Sequence, residues 1–256
     1  TLTLASGGSK TITVTTGSGF AIDNATEDMS KNATYAVVAP GTHTFRIRYW
    51  LRNTTDNPEG TIEGTVSKII TLNCAAGSIQ DITANLNPRD YDGDHYYMWD
   101  AQQQYWKGYE WTKNLGAGVG QPTLRSQQAG NCAQNSSDAN HRWYNVGRGG
   151  PFNATRSCAT LPNANEMTWY AAQGDPRWDR YELWTTMGHL YKGGMWFKKK
   201  ANISGFNANT AYNRRDWRTT GYDRTWSVSQ ILPSAGDAGN YFFLPALGNY
   251  DRGALD

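Results

Sequence analysis

THTFRIRYWL, residues 42–51, alternates apolar and polar side chains: Phe45, Ile47, Tyr49 and Leu51 take one face, Arg46 and Arg48 the other. Period two in a run rich in aromatic and β-branched residues predicts a strand with one buried face. The same pattern recurs on both sides. TLTLA (1–5), KTITVTT (10–16), TVSKIITLN (65–73) and SIQDITANL (78–86) read as further strands, separated by turn chemistry in APGT (39–42), DNPEG (56–60) and CAAGS (74–78). Six or seven such strands without a helical pattern predict an antiparallel β-sandwich over residues 1–87.

The composition changes at DYDGDHYYMWD, residues 90–100. Of 11 tryptophans only Trp50 precedes it, and the other ten lie between Trp99 and Trp226. From residue 88 the chain reads as a loop-rich α+β domain. Its clearest helix is LPNANEMTWYAAQG (161–174), where Asn163 and Glu166 have capping-box spacing, Met167, Tyr170 and Ala171 share a face, and Gly174 stops the helix. DPRWDRYELW (175–184) predicts a second short helix from Pro176, with Trp178, Tyr181 and Leu183 or Trp184 on one stripe. A strand is expected at 194–200 and another in GNYFFLPALG (239–248), ended by Pro245. The long connections at 112–140 and 202–224 are functional candidates on length alone.

With 24 basic and 22 acidic side chains spread along its length, the chain carries no footprint for nucleic acid, and no run is long and apolar enough to span a membrane. Cys74, Cys132 and Cys158 show no CxxC spacing, which speaks against zinc. Cys132 and Cys158 either pair, closing a loop worth roughly 3 kcal/mol, or stay as thiols.

Asp90, Asp92 and Asp94 match positions 1, 3 and 5 of a calcium loop, but His95 replaces the turn glycine and Ala101 the closing glutamate. No cofactor is therefore expected, with these three aspartates the one candidate set for calcium. The four histidines are isolated, and no HExxH or GxSxG occurs. Glu110, Glu166 and Glu182 are the glutamates available for a hydrolytic pair, and Glu166 already has a role as a capping residue. A ligand surface is expected on the long loops that mix aromatic and donor groups: Trp111, Trp143, Arg214, Arg215, Trp217, Arg218 and Tyr222.

CATLPNANEMTWYAA (158–172), GGMWFKKKA (193–201) and YFFLPALGNYDRGAL (241–255) together resemble the major-paralogous type of C-type-lectin-like domain found in surface proteins of Bacteroidetes and Fibrobacteres. VVAPGTHTFRIRY (37–49) and AAGSIQDITANL (75–86) resemble the last strands of a fimbrillin-type sandwich. The resemblance implies an exported, outer-membrane-associated subunit of a fimbrium or cell surface, with a lectin-like head (88–256) on a sandwich stem (1–87). It implies adhesion to a glycan or protein and assembly with other fimbrial subunits. Domains of this type continue beyond the G.L motif with a further strand, so a missing last strand, or one supplied by another subunit through donor-strand pairing, is the expectation here. The acid–Pro–acid triplet of calcium-dependent lectins does not occur. The alternatives are a glycan-active exported enzyme with an accessory sandwich and a purely structural pilus subunit.

Overall fold

The computed structural model of the chain describes residues 10–19, 21, 33–53, 61–91, 103–104, 107–108, 138–140, 142, 162–186, 189–218, 226–246, 250–251 and 254–255. The fold is mostly β. Strands β1 (Gly41–Arg52), β2 (Glu63–Cys74), β3 (Arg89–Asp90), β4 (Arg177–Thr186), β5 (His189–Lys198) and β6 (Tyr241–Pro245) make one mixed sheet in the order β1-β2-β4-β5-β6, and β3 also pairs with β4. β4 pairs parallel with β2 at Thr65↔Glu182 and with β3 at Arg89↔Trp184 and Asp90↔Thr185, while β4–β5 and β5–β6 are antiparallel. A two-stranded sheet of β7 (Tyr250–Asp251) and β8 (Ala254–Leu255) follows. Helix α1 (Ala164–Gln173) precedes β4. Among the described residues no helix is long and apolar enough to cross a membrane.

The chain divides into two compact units, Thr1–Phe45 with Ile70–Ala84, and Arg46–Ile69 with Asn85–Asp256. In the first, the Thr44 and Thr71 hydroxyls meet at 3.0 Å and the His43 ring bonds the Ala39 carbonyl. The strands expected at 10–16 and 78–86 do not form, and both stretches are irregular. Ile12 and Val14 are 58% and 43% exposed, and Ile79 is 87% exposed. Alternation marks a segment able to form a strand, but a ladder also needs a partner whose position the local sequence does not encode.

In the second unit the core gathers where α1 meets β5 and β6. Tyr170, Phe197 and Ile203 are buried, with Met167, Trp169, Met195, Phe206 and Phe242 packed on them. α1 starts and stops as its sequence predicts: Asn163 Oδ1 accepts from Glu166 N, Glu166 Oε2 accepts from Asn163 N, and the Gly174 N–H bonds the Tyr170 carbonyl. Trp184 is fully buried, donates its indole N–H to Gly193 O at 2.9 Å, and stacks on Tyr191 at 4.9 Å. At Gly194 a Cβ would strike the Phe243 ring and the Leu244 carbonyl, so β5 and β6 pack closely only because glycine stands there.

Residues 177–186 form strand β4, not the expected helix. The reason is a bulge: between Asp179↔Gly194 and Leu183↔Lys192, four steps on β4 oppose two on β5. The expected stripe of Trp178, Tyr181 and Leu183 or Trp184 runs across that bulge, where the register shift interrupts the period-two spacing that marks a strand. The strand expected at 194–200 lies at His189–Lys198, and a 3₁₀ turn, Lys200–Asn202, takes the end of the lysine run.

Candidate functional site

Helix α1 does more than fill the core. Its polar side chains face a loop, residues 208–218, and hold the loop's backbone at successive points. Asn163 Nδ2 donates to Ala208 O at 3.0 Å, and Asn165 Nδ2 donates to the same oxygen at 3.2 Å and to Asp216 Oδ1 at 2.9 Å. Asn165 Oδ1 accepts from Trp217 N at 2.8 Å, Thr168 Oγ1 accepts from Tyr212 N at 3.2 Å, and the Trp169 indole donates to Thr210 O at 2.8 Å. Asn165 is fully buried and Thr168 is 3% exposed. Buried polar groups satisfied in this way fix one arrangement of the backbone they bind.

The braced loop carries an unusual residue at its tip. Arg214 has φ +65°, a left-handed conformation that costs a residue with a Cβ about 1–2 kcal/mol. Bonds on either side hold it: Arg214 N to Ala211 O at 2.9 Å and Ala211 N to Arg215 O at 2.7 Å. Arg214 and Arg215 are both exposed.

The structure therefore brings together four of the residues expected at a ligand surface, in different roles. Arg214 and Arg215 face solvent. Trp217 is half-buried, donates its indole N–H to Asn213 Oδ1 at 3.2 Å, and lies edge-on to Tyr212, which also meets Trp226. Arg218 pairs with Asp216, its Nε 2.9 Å from Oδ1 and its Nη2 3.0 Å from Oδ2. Trp111, Trp143 and Tyr222 lie outside the described residues, as do Asp92, Asp94, Cys132, Cys158 and Glu110. Asp90, on β3, accepts a bond from Thr185 Oγ1 at 2.8 Å, and no group of three metal-ligating side chains occurs among the described residues. Cys74 is a buried free thiol.

A second cluster of charges lies along β1, β2 and the β4 bulge. Arg48 Nη2 is 2.9 Å from Asp179 Oδ1, 4.0 Å from Glu182 Oε2 and 2.6 Å from the Thr65 hydroxyl. Asp179 is 2% exposed and also accepts from the bulge's own Tyr181 N and Glu182 N. Glu182 accepts from Ser67 N at 3.1 Å and Ser67 Oγ at 2.6 Å, and Thr65 Oγ1 lies 3.3 Å away. Where the parallel β2–β4 ladder has a single paired position, this carboxylate bonds β2 in place of a ladder. Gly64 permits the approach, since a Cβ there would meet the Leu183 side chain at 2.7 Å. Arg46 reaches Pro233 O and lies over the Trp196 ring.

The two sites respond to acid in opposite senses. The Arg218 guanidinium beside Asp216, helped by the Asn165 amide, holds that carboxyl at about 2. Burial raises Glu182, and the bonds from Ser67 offset only part of that. Asp216 therefore contributes stability above the ordinary value of 3.8 and loses it as pH falls through about 2. Glu182, raised, favours the folded state at acid pH and loses that contribution as pH climbs through its folded value. Allowing for the partial exposure of Asp216, its contribution is about 1–2 kcal/mol. In urea titrations the gap between the native chain and Asp216→Asn should be constant near neutrality, narrow below about pH 4 and close toward pH 2. A gap independent of pH would show that the Asp216 charge plays no part.

Asn165, Arg48, Thr65, Ser67 and Asp179 were not legible as site residues. Only Asn165 left a signal: with Thr168 it puts a polar i, i+3 pair on a helix whose cap is already supplied by Asn163. No protein-family model, curated protein or solved structure matches this chain.

Proposed function

We propose that this protein is a non-catalytic adhesion subunit of a cell surface or fimbrium, exported and outer-membrane-associated. Residues 88–256 serve as a C-type-lectin-like head, and residues 1–87 lead into it as a β-rich stem. The head recognises acidic groups of a glycan or protein through Arg214 and Arg215. One observation carries this reading: a loop clamped by five side-chain bonds from Asn163, Asn165, Thr168 and Trp169 to its backbone presents two exposed arginines, one of them left-handed. Strain maintained by a buried polar scaffold is what a preorganised recognition loop requires. Guanidinium groups suit carboxylate and sulfate groups, which accept their paired donors.

Two of the three glutamates expected as a hydrolytic set are engaged in structural bonds, which supports the binding reading. Glu166 is committed to the helix cap and Glu182 to Ser67 and Thr65. The sequence phrases at 158–172, 193–201 and 241–255 support the lectin-like assignment of the head, and assembly with other subunits through an added strand belongs to the same reading.

Binding of the full chain to an array of glycans and matrix proteins tests it. Arg214→Ala/Arg215→Ala should weaken the strongest hit about tenfold or more per arginine, with the circular dichroism spectrum unchanged. Binding that the double variant leaves intact would overturn the loop's role. Polymerisation with no array binding would favour a purely structural subunit.

A further inference from the structure

At the ends of β5 and β6, a depression of about 360 Å³ is lined by Lys198, Asn202, Asp237, Asn240 and Tyr241. Its volume lies at the low end of the range for small-molecule sites, about 300–1,000 Å³. The lining is unusual for such a site, because every side chain in it has a polar end and none is aliphatic. An apolar ligand would strip water from these groups and give nothing back. One ammonium and one carboxylate offset each other, so an anion meets Asp237 and a cation meets Lys198. What the set offers is the Asn202 amide oxygen and the Asn240 amide N–H groups, since Asn202 Nδ2 already bonds Asn240 O and Oδ1, with the Lys198 donor and the Asp237 acceptor beside them.

The lining groups are held in place from behind. Asn202 Nδ2 donates to Asn240 O at 3.2 Å, and the same carbonyl accepts from Lys199 N at 2.8 Å, which ties the 3₁₀ turn Lys200–Asn202 to the turn Ala238–Asn240. Asp237 accepts from the Ser234 hydroxyl at 2.8 Å. The Tyr241 hydroxyl donates to Asp175 Oδ2 at 2.6 Å, and Arg177 pins that carboxylate at 2.8 Å. Asp175 and Arg214 are the two non-glycine residues with positive φ among the described residues, one at each candidate surface. Burial and the bond to Asp175 push the Tyr241 hydroxyl up to about 12, so it stays protonated and its oxygen can still accept.

We infer that this depression is a subsite for one unit of a neutral saccharide, whose hydroxyls donate to the Asp237 carboxylate and the Asn202 amide oxygen and accept from the Asn240 amide and the Lys198 ammonium. The hydroxyl rim of a sugar carries donors and acceptors together, which matches a lining of mixed donors and acceptors. The subsite stands apart from the Arg214–Arg215 loop and does not depend on it.

Titration of the ¹⁵N-labelled full chain with glucose, galactose, mannose and N-acetylglucosamine, each to millimolar concentration, tests the inference by NMR. At least one sugar should produce saturable shifts in the Asn202 and Asn240 side-chain amides and in the backbone of 198–202 and 237–241, with 211–218 unmoved. Asn202→Ala/Asn240→Ala, which alters two exposed side chains, should weaken that response about tenfold or more. Arg214→Ala/Arg215→Ala should leave it unchanged, which separates this subsite from the loop. No saturable shift with any of these sugars would overturn it. So would the same shifts on adding sodium phosphate instead, or a response that survives in the double asparagine variant.

Discussion

Asp179→Ala should cost about 3–5 kcal/mol of stability, the range for removing one member of a buried ion pair. The carboxylate is 2% exposed and accepts from Arg48 on β1 and from Tyr181 N and Glu182 N within the bulge. Alanine leaves a partly buried guanidinium without its nearest anion and two backbone N–H groups without their acceptor. The same substitution removes a like charge that helps raise Glu182, so the Glu182 titration should move down toward its ordinary range. Urea unfolding gives the first quantity and carboxyl NMR the second. A double-mutant cycle with Arg48→Met apportions the pair: the double variant should lose less than the sum of the singles, by about 0.5–3 kcal/mol. A cost below about 1 kcal/mol for Asp179→Ala, with Glu182 unmoved, would show that the cluster does not hold the bulge.

That cluster also marks where the sequence stops being informative. Helix α1 was legible because its signals are local: the Asn163–Glu166 box and Gly174 lie within the segment they delimit. The alternation at 42–51 announced a strand, and β1 forms there. It placed Arg46 and Arg48 opposite the apolar face but could not reveal that Arg48 finds its anion 131 residues further along. The helix expected over β4 rested on Trp178, Tyr181 and Leu183 or Trp184, and the bulge between Asp179 and Leu183 interrupts period two within that same stretch. The stretches at 10–16 and 78–86 failed in the other direction, having strand composition without a ladder. Of the candidate ligand residues, type and clustering picked out Arg214, Arg215, Trp217 and Arg218. That Trp217 packs and Arg218 pairs with Asp216, while Arg214 and Arg215 are exposed, depends on Asn165 and Asp216, residues that carry no motif.

Asn165→Ala is accordingly the substitution that should separate the loop's order from the integrity of the rest. The amide makes three bonds to the loop, to Ala208 O, Asp216 Oδ1 and Trp217 N, from a fully buried position. Its removal leaves a buried N–H and a carbonyl short of partners and opens a small void, an expected loss of about 2–4 kcal/mol. The helix itself should persist, since its cap is Asn163 and its apolar anchors are Met167 and Tyr170. The consequence falls on the loop: with Trp217 N released and Asp216 held by Arg218 alone, the left-handed backbone at Arg214 is no longer imposed. Amide exchange at 211–218 should accelerate more than exchange in α1, β5 or β6. Affinity for the array ligand should fall about as far as in Arg214→Ala/Arg215→Ala, although both arginines are still present. Accelerated exchange with undiminished binding would mean that the arginines act without preorganisation. Unchanged exchange would mean that the remaining clamps at Ala208, Thr210 and Tyr212 suffice to fix the loop.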